Sequence, residues 1–132
     1  MPLKALYIDD DEDIGTIAVM CLKLNDAFEA RHASNGADGS KIAADWKPDV
    51  ILLDVMMPVM DGPSTYRQLK NNPATPDIPV IFVTARTQRN ELEKLSGLGA
   101  LGTIAKPFEP VSLADDVADL LDACASRPSR LP

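Results

Sequence analysis

Five short apolar runs, each followed by a stretch of helical length, constrain this chain more than any other feature. The runs are Leu3 to Ile8, Phe28 to Ala33, Val50 to Leu53, Val80 to Val83 and Leu101 to Ala105, and their length and content read as buried strands. The helical stretches are Ile14 to Leu24, Ala37 to Trp46, Ser64 to Asn71, Arg89 to Leu95 and Val111 to Cys124. Strict alternation of this kind predicts an α/β fold, a (βα)5 doubly wound parallel sheet with helices on both faces. The unbroken Val50-Ile51-Leu52-Leu53 run suits a central strand covered on both sides. With 132 residues and 45% hydrophobic content, the chain fits one domain, expected over residues 1–125, with a frayed tail over 126–132 that carries two prolines and two arginines.

The formal net charge of -7 repels phosphate backbones and anionic lipid, so direct nucleic-acid or membrane binding is not expected, and a basic partner surface would suit the chain better. No run approaches the ~18 apolar residues of a spanning helix, and the start has no signal-peptide pattern. A cytoplasmic protein is expected. Cys21 and Cys124 show no metal-ligand spacing and read as reduced, buried thiols.

Polar residues fall at the ends of these strands. Asp9 and Asp10 follow Ile8, Asp54 follows Leu53, Thr84 follows Val83 and Lys106 follows Ala105. The carboxyl edge of an open parallel sheet is its ligand edge, and the site lies where strand order reverses. In the order 2-1-3-4-5 the first and third strands are neighbours, about 4.8 Å apart, which brings Asp9, Asp10 and Asp54 into one pocket. Three carboxylates so close require a cation or strongly raised pKa values. Oxygen ligands without nearby histidine or cysteine favour Mg²⁺, with Mn²⁺ as a substitute, and a phosphate commonly completes its shell. Lys106 supplies a point charge and Thr84 a hydroxyl for that phosphate, leaving Asp54 as the natural nucleophile.

Several segments together carry a family resemblance. Leu6-Tyr7-Ile8-Asp9-Asp10, Asp49 to Pro58 with Asp61-Gly62, Pro79 to Ala85, and Ala105-Lys106-Pro107-Phe108 resemble the receiver domains of two-component response regulators, over roughly Leu3 to Cys124. The resemblance implies a flavodoxin-like fold and phosphoryl acceptance at Asp54 from a histidine kinase or histidine phosphotransfer protein, with output through an unidentified partner protein. It implies Asp9, Asp10, Asp54 and the Met56 backbone carbonyl as Mg²⁺ ligands, Thr84 as switch hydroxyl, Lys106 as phosphate-binding lysine, and a cis bond before Pro107. Such a domain catalyses only its own phosphorylation and dephosphorylation. Three residues before Lys106, where many receivers carry Tyr or Phe, this chain has Thr103. Met56 and Arg86 are expected to flank the path of water to the phosphoryl group.

Simpler readings compete at several positions. Asp11, Glu12 and Asp13 read as the acidic first turn of a helix, and Thr84 alone would read as an N-cap. Ile14 and Ile17, at i and i+3, suit either core packing or, with Pro107 and Phe108, a docking face for the phosphodonor helix. Gly15 weakens the same helix without an evident reason. His32, the single histidine, reads as a sheet residue away from the acidic pocket, and Trp46 and Tyr66 as helix-sheet packing. Tyr7-Ile8-Asp9-Asp10-Asp11 also resembles the Asp-x-Asp strand of haloacid dehalogenase phosphatases, although the chain lacks room for their cap. A receiver-like interaction module without phosphorylation is the other alternative.

Overall fold

A computed structural model describes residues 2–24 and 26–125, with the side chains of 124 and 125 left aside. The expectation for Cys124 as a buried thiol falls on one of those side chains, and the 126–132 tail lies outside the described residues. In chain order the elements are β1 (Leu3–Ile8), α1 (Glu12–Lys23), β2 (Phe28–Ala33), α2 (Gly36–Trp46), β3 (Val50–Asp54), α3 (Gly62–Asn71), β4 (Val80–Thr84), α4 (Arg89–Gly97), β5 (Gly102–Ala105) and α5 (Leu113–Ala125). The strands form one sheet in the order β2-β1-β3-β4-β5. Every pairing is parallel, so the predicted flavodoxin-like (βα)5 architecture is the observed one.

The sheet is buried on both faces because successive side chains of its inner strands alternate between two apolar layers. Ala5 and Tyr7 of β1, Leu52 of β3 and Val83 of β4 join Ala18, Leu22, Leu113 and Val117 of α1 and α5. Leu6, Ile8, Ile51, Leu53 and Phe82 face the other way, toward Ala43, Tyr66, Leu69 and Leu95 of α2, α3 and α4. Each fully buried Leu, Ile or Phe side chain contributes about 1.5–3 kcal/mol on area grounds. β3 and β4 are buried at every position, including their terminal Asp54 and Thr84.

Capping chemistry sets the helix starts, and it moves several of them from the positions expected from apolar periodicity. α1 begins two residues before Ile14 because the Asp11 side chain accepts from Ile14 N at 3.1 Å, leaving Glu12 and Asp13 in the first turn. The acidic run beyond Asp10 is therefore helix decoration, as expected. α3 starts at Gly62 behind its N-cap Asp61, which accepts from Ser64 N at 2.9 Å. α2 starts at Gly36 behind Asn35, and α5 starts two residues later than Val111, after a turn closed by Ser112 N donating to Glu109 O.

Tyr66 packs against Phe82, ring centroids 5.6 Å apart, and is a core residue. Trp46 closes the α2 end of the apolar layer while the Arg31 guanidinium lies 4.4 Å from its ring centroid and Lys4 Nζ lies 5.7 Å away, a cation–π arrangement. Cys21 is a buried free thiol.

Candidate phosphoryl and metal site

The carboxyl ends of β1 and β3 are adjacent, with Ile8 opposite Leu53 in the register. The residues just beyond and at those ends come together as expected: carboxylate oxygens of Asp9, Asp10 and Asp54 all lie within 4.8 Å of one another. Asp9 is wholly buried, Asp54 is 3% exposed and Asp10 opens to solvent. An oxygen-only donor set with one solvent-facing member suits a hard divalent cation that keeps part of its water shell.

Lys106 reaches this cluster from the end of β5. Its Nζ donates to Asp9 Oδ2 at 2.9 Å and to Asp54 Oδ1 at 3.3 Å. Its backbone is fixed by Lys106 N donating to Thr84 O at 2.8 Å, and the Lys106–Pro107 peptide is cis. Burial pushes the Lys106 ammonium down, but its hydrogen bond to Asp9 and the charge of Asp54 outweigh that and leave it raised. Asp54 shows the opposite balance. Burial and then the charge of Asp9 push its carboxyl up to about 6, against the pull of Lys106.

The back of Asp54 is closed by α3. A Cβ at Gly62 would lie 2.6 Å from Asp54 O and 2.8 Å from Val55 Cα, so only glycine lets this helix start seat against the strand end. Gly62 N donates to Val55 O at 2.9 Å, tying the loop after the nucleophile candidate to α3. Met56 within that loop is 57% exposed, and Arg86 beyond β4 is exposed as well. Thr84 is buried; its Oγ1 accepts from Arg86 N at 3.0 Å and sits 3.3 Å from Arg86 O, so the hydroxyl is engaged with its own loop.

The four docking candidates are brought together. Ile14, Ile17, Pro107 and Phe108 line one cleft of about 230 Å³ with Lys106 and Pro110, directly beside the acidic cluster. Ile17 is 47% exposed, whereas Ile14 and Phe108 also pack against the core. Thr103 is half-buried on β5 and borders a separate cleft of about 470 Å³ shared with Leu92 and Ser96 of α4.

Two contacts were not foreseen, and one corrects an expectation. His32 is not remote from the pocket: its Nε2 lies 2.8 Å from the Asp9 carbonyl oxygen, and because a carbonyl only accepts, that nitrogen carries the proton. His32 pairs opposite Tyr7, and its ring lies where a Cβ on Gly15 would come within 2.2–2.4 Å of three ring atoms. The unexplained glycine of α1 is thereby accounted for. The second contact is Tyr7 Oη, which donates to Asp9 Oδ2 at 3.0 Å inside the core. The period-2 rule held the clue, since residues i and i+2 of a strand share a face and Tyr7 stands two before Asp9.

Comparison with known proteins agrees with this geometry. The family model of the response regulator receiver domain matches residues 5–118. The chain is 37% identical over 121 residues to Response regulator PleD of Caulobacter vibrioides, taking in 91% of this chain and 26% of that protein. It is 32% identical over 129 residues to the DNA-binding dual master transcriptional regulator RpaA of Synechocystis, 98% of this chain and 52% of the relative. The chain thus spans between about a quarter and a half of the length of these relatives. Among solved structures it is similar to chemotaxis response regulator CheY4 of Vibrio cholerae, with TM-score 0.82 and 26% identity over 91% of this chain and 99% of that one. It is also similar to the signal receiver domain of a DNA binding response regulator from Colwellia psychrerythraea, with TM-score 0.78 and 30% identity over 91% and 98%. Among the described residues no helix is long and apolar enough to cross a membrane. Sheet order, acidic pocket and sequence likeness converge, the phosphatase alternative falls away, and the chain belongs to the response regulator receiver domain family of two-component signalling.

Proposed function

We propose that this domain accepts a phosphoryl group on Asp54 from a phosphohistidine of a kinase or phosphotransfer protein, and that the modified form changes which protein surface it binds. The observation that carries the reading is one ammonium, Lys106, bonded to two buried carboxylates within a three-carboxylate cluster. An Asp54 carboxylate oxygen attacks phosphorus as the P–N bond of the donor breaks, and the imidazole leaves with the electron pair and takes up a proton. Asp9, Asp10, Asp54 and the Met56 carbonyl would hold Mg²⁺, or Mn²⁺ in its place, which would supply charge neutralisation for the transferring group. Lys106 donates to an oxygen of that group, and the Thr84 hydroxyl exchanges the bond it donates to Arg86 O for one donated to another oxygen. Movement of Thr84 draws the following loop inward, toward Asp54, which is how new charge there shifts a two-state equilibrium that a partner reads. The cleft of Ile14, Ile17, Pro107 and Phe108 seats the donor helix. Met56 and Arg86, exposed on either side, control water access and so the lifetime of the acyl phosphate. The domain works in the cytoplasm as a signalling module over residues 1–125.

Borohydride reduction after treatment with a small phosphodonor tests the assignment. Conversion of Asp54 to homoserine, found by peptide sequencing, is expected; conversion at Asp9 or Asp10, or at no aspartate, would overturn it.

A further inference from the structure

We infer that Tyr7 is a positioning residue whose hydroxyl keeps Asp9 hydrogen-bonded when Lys106 moves to the phosphoryl group. The inference rests on the phosphoacceptor reading and goes beyond it, to a residue on the strand rather than at its end. Asp9 has no exposed surface, so water does not replace a lost donor there. Its Oδ1 accepts from Asp11 N at 3.0 Å. Its Oδ2 accepts from two donors, Lys106 Nζ at 2.9 Å and Tyr7 Oη at 3.0 Å. Lys106 already divides its ammonium between Asp9 and Asp54, and a phosphoryl group, with a charge of about -1.5 to -2, draws it further away. Without a second donor, that movement would leave Asp9 Oδ2 with no hydrogen-bond donor while the same carboxylate also holds the cation, and the penalty would fall on the transfer step.

Tyr7 is built to stay in place. Its side chain is fully buried on β1. The Phe108 ring meets it edge-on, centroids 6.2 Å apart at 70°, and the His32 ring lies 6.3 Å away on β2. His32 in turn holds the Asp9 carbonyl, so both ends of Asp9 are tied to one aromatic group. Phe108, the neighbour of Tyr7, follows directly on the Lys106–Pro107 turn, so the two donors to Oδ2 are linked through packing.

The test compares wild type and Tyr7→Phe for the rate of phosphorylation by acetyl phosphate at saturating Mg²⁺, for Mg²⁺ affinity by calorimetry, and for thermal midpoint. The expected result is a rate about tenfold lower, the size of one charge-assisted hydrogen bond, with resting Mg²⁺ affinity within about twofold because Lys106 still holds Oδ2 in that state. An unchanged or faster rate overturns the proposal, as does a loss confined to Mg²⁺ affinity. Should Tyr7→Phe not fold, the wild-type protein supplies the answer by proton NMR. The Tyr7 hydroxyl resonance is expected to remain slow-exchanging when beryllofluoride occupies the Asp54 site, and its disappearance refutes the role. If wild type itself takes up no phosphoryl group, the phosphoacceptor reading fails first and the Tyr7 role falls with it.

Discussion

Lys106 Nζ and Asp9 Oδ2 are joined across 2.9 Å although 97 positions separate them in the chain. The contact links the last strand to the first through the acidic pocket, and it is the main charge compensation within the cluster. Removing the ammonium leaves buried Asp9 without its counter-charge and Asp54 without the Lys106 attraction that opposes its upward shift. Lys106→Ala is expected to lower folding stability by about 3 kcal/mol in Mg²⁺-free buffer near neutral pH, the usual cost of breaking a buried pair from one side. Urea unfolding with EDTA and with Mg²⁺ checks this, since the cation should restore a large part of the loss. A mutant equally stable in both buffers and equal to wild type would show that the pair carries no such load.

Asp54 gives the pocket a pH dependence of definite sign. Its carboxyl is pushed up to about 6 from an ordinary 3.8, by burial and then by Asp9. Between those values the unfolded chain has released the proton that the folded chain retains. Folded protein therefore binds more protons in that window, and the stability this group contributes falls as pH rises through it, by about 3 kcal/mol in all. Asp54→Asn, neutral at every pH, should accordingly be more stable than wild type by about 2–3 kcal/mol near pH 7 in EDTA, with the gap closing toward pH 4. Denaturation curves of the two proteins across that range decide it. Equal stability near neutrality would mean that Lys106 already offsets the repulsion. Saturating Mg²⁺ should shrink the gap, because only the ionised carboxylate offers a ligand.

Gly15 and His32 make a paired prediction whose sign reverses. Alanine is a better helix former than glycine by about 1 kcal/mol, so Gly15→Ala would stabilise an ordinary helix position. Here the added Cβ meets the imidazole at 2.2–2.4 Å and forces it off the Asp9 carbonyl. Overpacking typically costs about 1–3 kcal/mol, so Gly15→Ala should destabilise, while in a His32→Ala background the same change should be neutral or stabilising. Thermal midpoints of the four proteins complete the cycle, and additive effects would refute the contact.

Much of this arrangement is legible in the amino-acid sequence because it depends on order and on strand ends. The apolar runs set the five strands, and alternation with helices set a parallel sheet in which residues 9, 54 and 106 share one edge. Helix starts were less legible. Apolar periodicity marks the buried face of α1 and α3, but Asp11 and Asp61 decide where the first turn begins, and a cap lies outside the periodic pattern. His32 and Tyr7 were missed for another reason. Both sit on strands whose pattern reads as packing, and their polar atoms find Asp9 only because Gly15 leaves room above β2 and because β1 turns Tyr7 to the α1 and α5 layer. Side-chain reach across a parallel pair depends on register, here Tyr7 opposite His32, which spacing along one chain does not encode.

The proposed reaction is the metal-dependent uptake of a single phosphoryl group by Asp54. Intact-mass spectrometry after incubation with acetyl phosphate, with Mg²⁺ and with EDTA, on wild type and Asp54→Asn, tests it most directly. The predicted result is a gain of one phosphoryl group on wild type in Mg²⁺ alone, lost after mild hydroxylamine treatment as an acyl phosphate must be. No gain on wild type, or an equal gain on Asp54→Asn, would contradict the claim and leave the domain as a receiver fold used for protein binding without phosphorylation.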